Sequence, residues 1–141
     1  MQKPRVVMTF GTFDLFHIGH LRILERAASL GDELVVGVST DELNYRKKKK
    51  YPMIPEDERR AIIAALKCVK DTFYEESLEK KREYLLQWKA DVLVMGDDWA
   101  GKFDEFQDIC EVVYLKRTDN VSTTELEQFI KTRAPHERRV S

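Results

Sequence analysis

The sequence predicts one α/β domain of three layers, in which a central parallel sheet of about five strands carries helices on both faces. Short strand-like runs alternate along the chain with segments of helical spacing, the order that gives parallel strands joined by right-handed crossovers. The run Leu34–Val38 is apolar except for one glycine, as in strands covered on both faces. A length of 141 residues corresponds to one domain with one core.

The elements follow from hydrophobic periodicity and from capping signals. A strand is predicted over 5–10, and a helix over 18–30 that Gly31 is expected to close as a C-cap. Ser77 is predicted to be the N-cap of a later helix. The remaining predicted elements are a strand over 33–39, a helix over 56–69, a strand over 72–74, a helix over 77–88, strands over 91–95 and 111–115, and a helix over 122–132.

Composition bounds the class of protein. The predicted domain spans 1–132, and the polar, basic residues 133–141 are expected to form a flexible tail. A net charge of -1 gives no general attraction to nucleic acid or membrane, and no apolar run approaches the ~20 residues of a membrane span. No signal peptide is evident, and Cys68 and Cys110 are expected to be buried free thiols, so a cytoplasmic location is predicted.

The segment 9–20 carries the densest chemical signal. A strand runs into Gly11, and His17 and His20 follow one helical turn apart at the expected start of a helix. Backbone N–H groups, a helix dipole and two imidazoles therefore meet at one point, as a phosphate site requires. Two histidines alone also fit zinc, but the other candidate ligands, His136 and the two cysteines, are distant in sequence.

Three further polar segments follow predicted strands and are expected at the same edge of the sheet. The basic run 46–50 reads as phosphate-neutralising, or alternatively as a solvated loop or nucleic-acid patch. Asp97 and Asp98 can bind metal or accept from sugar hydroxyls. In the segment 117–124, Ser122 can cap a helix whose N–H groups can also hold phosphate oxygens.

Residues 11–20 resemble the HxGH signature of the cytidylyltransferase branch of the nucleotidyltransferase superfamily. Segments 95–104 and 117–124 resemble later motifs of those members that use glycerol 3-phosphate, and the similarity runs from about residue 6 to about residue 130. The resemblance implies a Rossmann-like nucleotidyltransferase fold and transfer of a cytidylyl group from CTP to glycerol 3-phosphate by direct in-line attack. It also implies a homodimer, Mg²⁺ bound with the triphosphate through unknown protein ligands, and a product that feeds wall or capsule polymers.

The resemblance and the residue chemistry together predict the site residues. The catalytic set is His17, His20, Lys47 and Arg117. The nucleotide-binding set is Gly11, Thr12, Phe13, His17, Gly19, His20, Lys49, Asp98, Arg117, Thr118, Ser122, Thr123 and Thr124. The acceptor-binding set is Lys47, Arg59, Lys81 and Trp99. A length difference from the family pattern leaves open which lysine of 47–50 is catalytic.

Two alternatives stay open at this stage. One is a cytidylyltransferase for another phosphorylated alcohol, such as ethanolamine phosphate. The other is a non-catalytic module that binds a nucleotide or nucleic acid through the lysine run and the basic tail. The near-zero net charge argues against the second, so small-molecule substrates are predicted, with no nucleic acid and no membrane insertion.

Overall fold

Five parallel strands form one sheet in the computed structural model, which describes residues 3–117 and 123–132. The strands are β1 (Val6–Gly11), β2 (Glu33–Ser39), β3 (Asp71–Glu75), β4 (Val92–Gly96) and β5 (Glu111–Leu115). The helices are α1 (Ile18–Ala28), α2 (Asp41–Lys48), α3 (Glu56–Ala64), α4 (Lys81–Gln87) and α5 (Thr123–Thr132), with short 3-10 turns at Asp97–Trp99 and Asp104–Asp108. The sheet order β3-β2-β1-β4-β5 confirms the predicted α/β fold. The predicted tail, 133–141, lies outside the described residues.

Both faces of the sheet are buried, because the side chains of each strand alternate between them. In β1, Val7 packs with Leu24 of α1 and Ile63 of α3 on one face. Its neighbour Met8 packs with Leu85 of α4 and with Phe106 on the other face. These packed helices fix the strand ends on which the polar segments sit.

Gly31 has a different role from the predicted C-cap, so that prediction is wrong. Helix α1 ends at the right-handed C-cap Ser29, and Gly31 does not have a positive φ. A Cβ at Gly31 would lie 2.7 Å from the carbonyl oxygen of Arg5. The glycine is therefore needed for a close approach of two backbone segments.

Helix bounds are where sequence and structure differ most. Helix α3, predicted over 56–69, ends at Ala64. Helix α4, predicted to begin at residue 77, begins at Lys81, because Ser77 caps only a local turn by accepting from the amide of Glu79. Helix α2 was not expected, since its last turn belongs to the basic run. Thr40 caps it by accepting from the amide of Leu43, and the basic last turn suits the negative end of the helix dipole.

The order of the strands positions a crevice. From β1 the chain winds outward to β2 and β3 and then returns to place β4 on the other side of β1. In such a sheet the crevice at the carboxyl ends of β1 and β4 is the expected ligand site. Cys68 and Cys110 were expected to be buried, but both are only half-buried free thiols, and neither lines the crevice. Within residues 3–117 and 123–132, no helix is long and apolar enough to cross a membrane.

Candidate active site

A cavity of about 840 Å³ opens at the carboxyl ends of β1 and β4. Ten residues predicted for the site line it: Gly11, Thr12, Phe13, His20, Lys47, Lys81, Asp98, Trp99, Thr123 and Thr124. The volume is of the size that small-molecule ligands occupy. All four segments expected at one edge of the sheet, 9–20, 46–50, 95–104 and 117–124, therefore contribute to the same wall.

His17 and His20 cap the start of α1 for each other. His17 is the N-cap, and its Nδ1 accepts from the amide of Gly19 at 3.0 Å. The Nδ1 of His20 accepts from the amide of His17 at 3.3 Å. Each Nδ1 is thus an acceptor, so in each neutral ring the proton lies on Nε2.

The two Nε2 atoms converge on one hydroxyl. Both lie 3.4 Å from Oγ1 of Thr123, whose own proton is donated to the backbone oxygen of Asp14 at 3.1 Å. The rings are stacked with centroids 3.8 Å apart. The arrangement presents two parallel N–H donors at the positive end of a helix, which suits a phosphoryl oxygen.

His20 is held neutral by its surroundings. Burial, and next the adjacent His17, lower the pKa of His20 from 6.5 to about 3. Desolvation disfavours the charged ring, and a second imidazole at stacking distance adds like-charge repulsion. Over the physiological pH range His20 is therefore a hydrogen-bond donor without a net charge.

Asp14 organises the loop before the histidines, and sequence reasoning missed it. Its carboxylate accepts from the amides of Met53 at 2.7 Å, Ile54 at 2.9 Å and Leu15 at 3.1 Å. Phe13 and Leu15, on either side of it, have positive φ values of 56° and 47°, which non-glycine residues rarely adopt. The only sequence signal was an aspartate in a turn, which gives no indication of a partner so far along the chain.

Gly11 is required for the packing of this loop as well as for the predicted close approach of a ligand. A Cβ at Gly11 would lie 2.8 Å from the ring of Phe13, which folds back over it. The structure thus adds a packing reason to the predicted one. Gly19, also predicted for the nucleotide, contributes its amide to the cap of α1 and is not part of the cavity wall.

The lysine run supplies cations at the end of α2. Lys47 is half-buried in the cavity wall, and Lys48 and Lys50 also line it. Burial lowers the pKa of Lys47, Glu75 opposes this, and neighbouring lysines lower it further. Lys49, predicted to bind nucleotide, is exposed, ends the helix in a left-handed conformation and does not line the cavity.

Lys81, predicted to bind the acceptor, lines the cavity and is paired with a carboxylate that the sequence did not reveal. Its Nζ donates to Oε2 of Glu75 at 2.8 Å, and Ser39 donates to Oε1 of Glu75 at 2.9 Å. The Nζ also lies 3.7 Å from the ring centroid of Phe10 and 5.0 Å from that of Phe103. Burial lowers the pKa of Lys81, and Glu75 opposes that change. Glu75 is the last residue of β3, and that position was its only sequence signal.

Arg59, predicted to contact the acceptor, is buried behind the cavity wall. Its side chain is 0% exposed, and it donates to Oδ1 of Asp41 at 2.6 Å. It also donates to the carbonyl oxygens of Thr12, Ser39 and Ile54, each at 2.8 Å. Arg59 therefore does not face the acceptor. It positions the wall, because its guanidinium joins the loops after β1 and β2.

The last predicted segment is described only in part. Arg117 is exposed at the rim, with Nη1 4.0 Å from Oδ2 of Asp98, and it does not line the cavity. Trp99 stands in the wall, packed on the ring of Phe103 at 5.4 Å. Thr118 and Ser122 lie outside the described residues.

No cluster of three or more His, Cys, Asp or Glu side chains suitable for a metal occurs in the described part of the chain.

Comparisons with known proteins show the family of this chain. Residues 8–133 match the family described as cytidylyltransferase-like. The glycerol-3-phosphate cytidylyltransferase of Bacillus subtilis (strain 168) is 48% identical over 124 residues, 88% of this chain and 95% of that protein. The enzyme of the same name from Staphylococcus aureus (strain NCTC 8325 / PS 47) is 42% identical over 122 residues, 86% of this chain and 92% of that protein.

Two solved structures resemble the fold. The lipopolysaccharide core biosynthesis protein from Thermoplasma volcanium GSS1 has a TM-score of 0.71 at 27% identity, covering 83% of this chain and 100% of that one. Pantoate-beta-alanine ligase from Francisella tularensis has a TM-score of 0.57 at 15% identity, covering 93% of this chain and 70% of that one. The second likeness concerns the fold alone.

Proposed function

This chain belongs to the cytidylyltransferase-like family, and we propose that it transfers the cytidylyl group of CTP to glycerol 3-phosphate, giving CDP-glycerol and pyrophosphate. The observation that carries the proposal is the convergence of the Nε2 atoms of His17 and His20 on Thr123, beside a cavity that His20, Lys47 and Lys81 line. The named relatives identify the nucleotide and the acceptor.

The reaction is a direct displacement. An acceptor phosphate oxygen attacks the α-phosphorus of CTP, the new O–P bond forms, and the bond to pyrophosphate breaks. The nucleophile is already an anion, so no general base is required. Catalysis then consists of positioning and of stabilising charge on the phosphoryl oxygens and the leaving group.

The proposed roles follow from position. His17 and His20 donate Nε2–H to a phosphoryl oxygen. The hydroxyl of Thr123 lies beside them at the start of α5, and Thr124 lines the same cavity. Lys47 faces the acceptor phosphate, and Arg117 approaches from the rim. Asp98 accepts from the nucleotide, with Trp99 as a wall of the acceptor site.

Mg²⁺ is proposed to accompany CTP and to neutralise part of the triphosphate charge. Phosphate oxygens and water would supply most of its ligands, as is usual for Mg²⁺ at nucleotide sites. A homodimer and a cytoplasmic location also belong to the proposal, and sedimentation and fractionation would test them.

The test is pyrophosphate release from CTP and Mg²⁺ with a panel of phosphorylated alcohols. Glycerol 3-phosphate should be the preferred acceptor. Preference for ethanolamine phosphate would correct the acceptor, and no release with any acceptor would contradict the enzymatic function.

Two variants test the histidines without removing the cap of α1. His17→Asn and His20→Gln retain side-chain acceptors suited to these cap positions but lose the imidazole. We expect kcat to fall by about 10²-fold or more, the cost of removing one charge-stabilising donor. His136→Gln makes the same chemical change as His20→Gln, within the predicted tail, and should leave kcat unchanged.

A further inference from the structure

Glu75 is a buried carboxylate in the cavity wall that the catalytic roles above do not use. It is 2% exposed, yet it lines the cavity together with Ser39, Lys47 and Lys81. Each carboxylate oxygen has one hydrogen bond from the protein, Oε1 from Ser39 and Oε2 from Lys81. A carboxylate oxygen can accept more than one, so Glu75 retains acceptor capacity toward the cavity.

Its place in the sheet separates Glu75 from the histidine end of the site. Glu75 ends β3, which lies two strands from β1, and neighbouring strands are about 4.8 Å apart. Its position is therefore about 10 Å from the end of β1, which precedes the histidine loop. A phosphate group held between Lys47 and the histidines would leave the rest of the acceptor beside Glu75.

Resting on the proposed function, we propose that Glu75 determines acceptor specificity by accepting hydrogen bonds from the free hydroxyls of a polyol phosphate. Lys81 and Ser39 hold its carboxylate in place. A small neutral polyol supplies the O–H donors that a fixed carboxylate requires. A cationic acceptor is disfavoured, because Lys47 and Lys81 outnumber the one carboxylate in this part of the wall.

The chemical class of the acceptor follows. It is a phosphate monoester with neutral hydroxyl groups and no ammonium group. A site built to bind a substrate hydroxyl rejects the analogue that lacks it, because the buried polar group is then left unsatisfied.

The test compares glycerol 3-phosphate with two analogues that each lack one hydroxyl. Propane-1,3-diol phosphate lacks the hydroxyl at C2 of glycerol 3-phosphate, and propane-1,2-diol 1-phosphate lacks the one at C1 of glycerol 3-phosphate. With saturating CTP, kcat/KM of the unaltered protein should fall at least about tenfold for one or both analogues. In Glu75→Gln the difference should shrink to within about threefold, because a neutral amide is a weaker acceptor and brings N–H donors of its own.

Glu76→Gln is the matched control. It makes the same change at the next residue, whose side chain is exposed and outside the cavity wall, and it should keep the full discrimination. If Glu75→Gln does not fold, Ser39→Ala replaces it. Losing the bond to Oε1 frees the carboxylate to rotate and should also reduce discrimination.

The outcomes separate the two proposals. No turnover with any acceptor would contradict the proposed function, and the assignment of Glu75 would fall with it. Turnover that treats glycerol 3-phosphate and both analogues alike within about threefold, or a folded Glu75→Gln protein with undiminished discrimination, would overturn the role of Glu75 alone.

Discussion

Acidification should destabilise this protein through His20. In the folded state burial and His17 lower the pKa of His20 to about 3, whereas an unfolded chain restores about 6.5. Between these values the unfolded chain binds a proton that the folded protein excludes. The stabilisation by the neutral ring is therefore fully present above about pH 6.5 and is lost as the pH falls toward 3.

The magnitude follows from the difference in pKa. For each pH unit below the unfolded pKa, the free energy of unfolding falls by about 1.4 kcal/mol, until the folded pKa is reached. At pH 4.5, two units below 6.5, the free energy of unfolding should be about 3 kcal/mol lower through His20 than at pH 7.5. That is a large fraction of the stability of a typical domain.

Urea unfolding at pH 7.5 and pH 4.5 measures this loss, with His20→Gln as the comparison. Glutamine at the third helical position can accept from the N-cap amide as His20 does, but it does not titrate. Carboxylates titrate in both proteins, so the difference between them isolates the histidine. Parallel loss of stability in the two proteins, or an NMR titration of His20 near pH 6.5, would refute the reasoning.

Three other substitutions have definite expected outcomes. Arg59→Lys should lower the free energy of unfolding by about 3 kcal/mol or more in urea titrations, because lysine lacks the planar fork that joins the loops after β1 and β2; equal stability would contradict the positioning role. Gly31→Ala should cost about 1–3 kcal/mol by the same measurement, since its Cβ would meet the Arg5 carbonyl, whereas Gly96→Ala has open space and serves as the control. Lys81→Met should raise KM for the acceptor about tenfold or more with KM for CTP unchanged, since it removes the charged hydrogen bond to Glu75 in the acceptor part of the wall. If KM for CTP rose as well, Lys81 would not be specific to the acceptor.

The sheet could be predicted from sequence because its signals are local. The predicted strands 33–39 and 111–115 agree with β2 and β5 residue for residue, since apolar runs in a parallel sheet are distinctive. Helix α2 escaped prediction because its charged sequence has no apolar stripe, and it is held by the Thr40 cap and the partners of Asp41. Tertiary contacts rather than propensity decide such a helix.

The site residues also fall into those that local sequence signals predict and those that depend on tertiary partners. The convergence of the three motif segments follows from their shared position after strands, so the histidines, Lys47 and Thr123 could be anticipated. Glu75 could not, because its partners Ser39 and Lys81 come from other elements. The burial of Arg59 was equally hidden, since a helix reveals one covered face but not what covers it.

The contact between Thr123 and Asp14 has a consequence for how the protein matures during synthesis. The two residues are 109 positions apart, so the hydroxyl that faces the histidines is among the last parts of the described chain to be made. The first strand, the histidine-capped helix and the second strand can form on a growing chain long before that contact exists. Transfer activity would then report the docking of the final helix, whereas circular dichroism would already register the earlier elements.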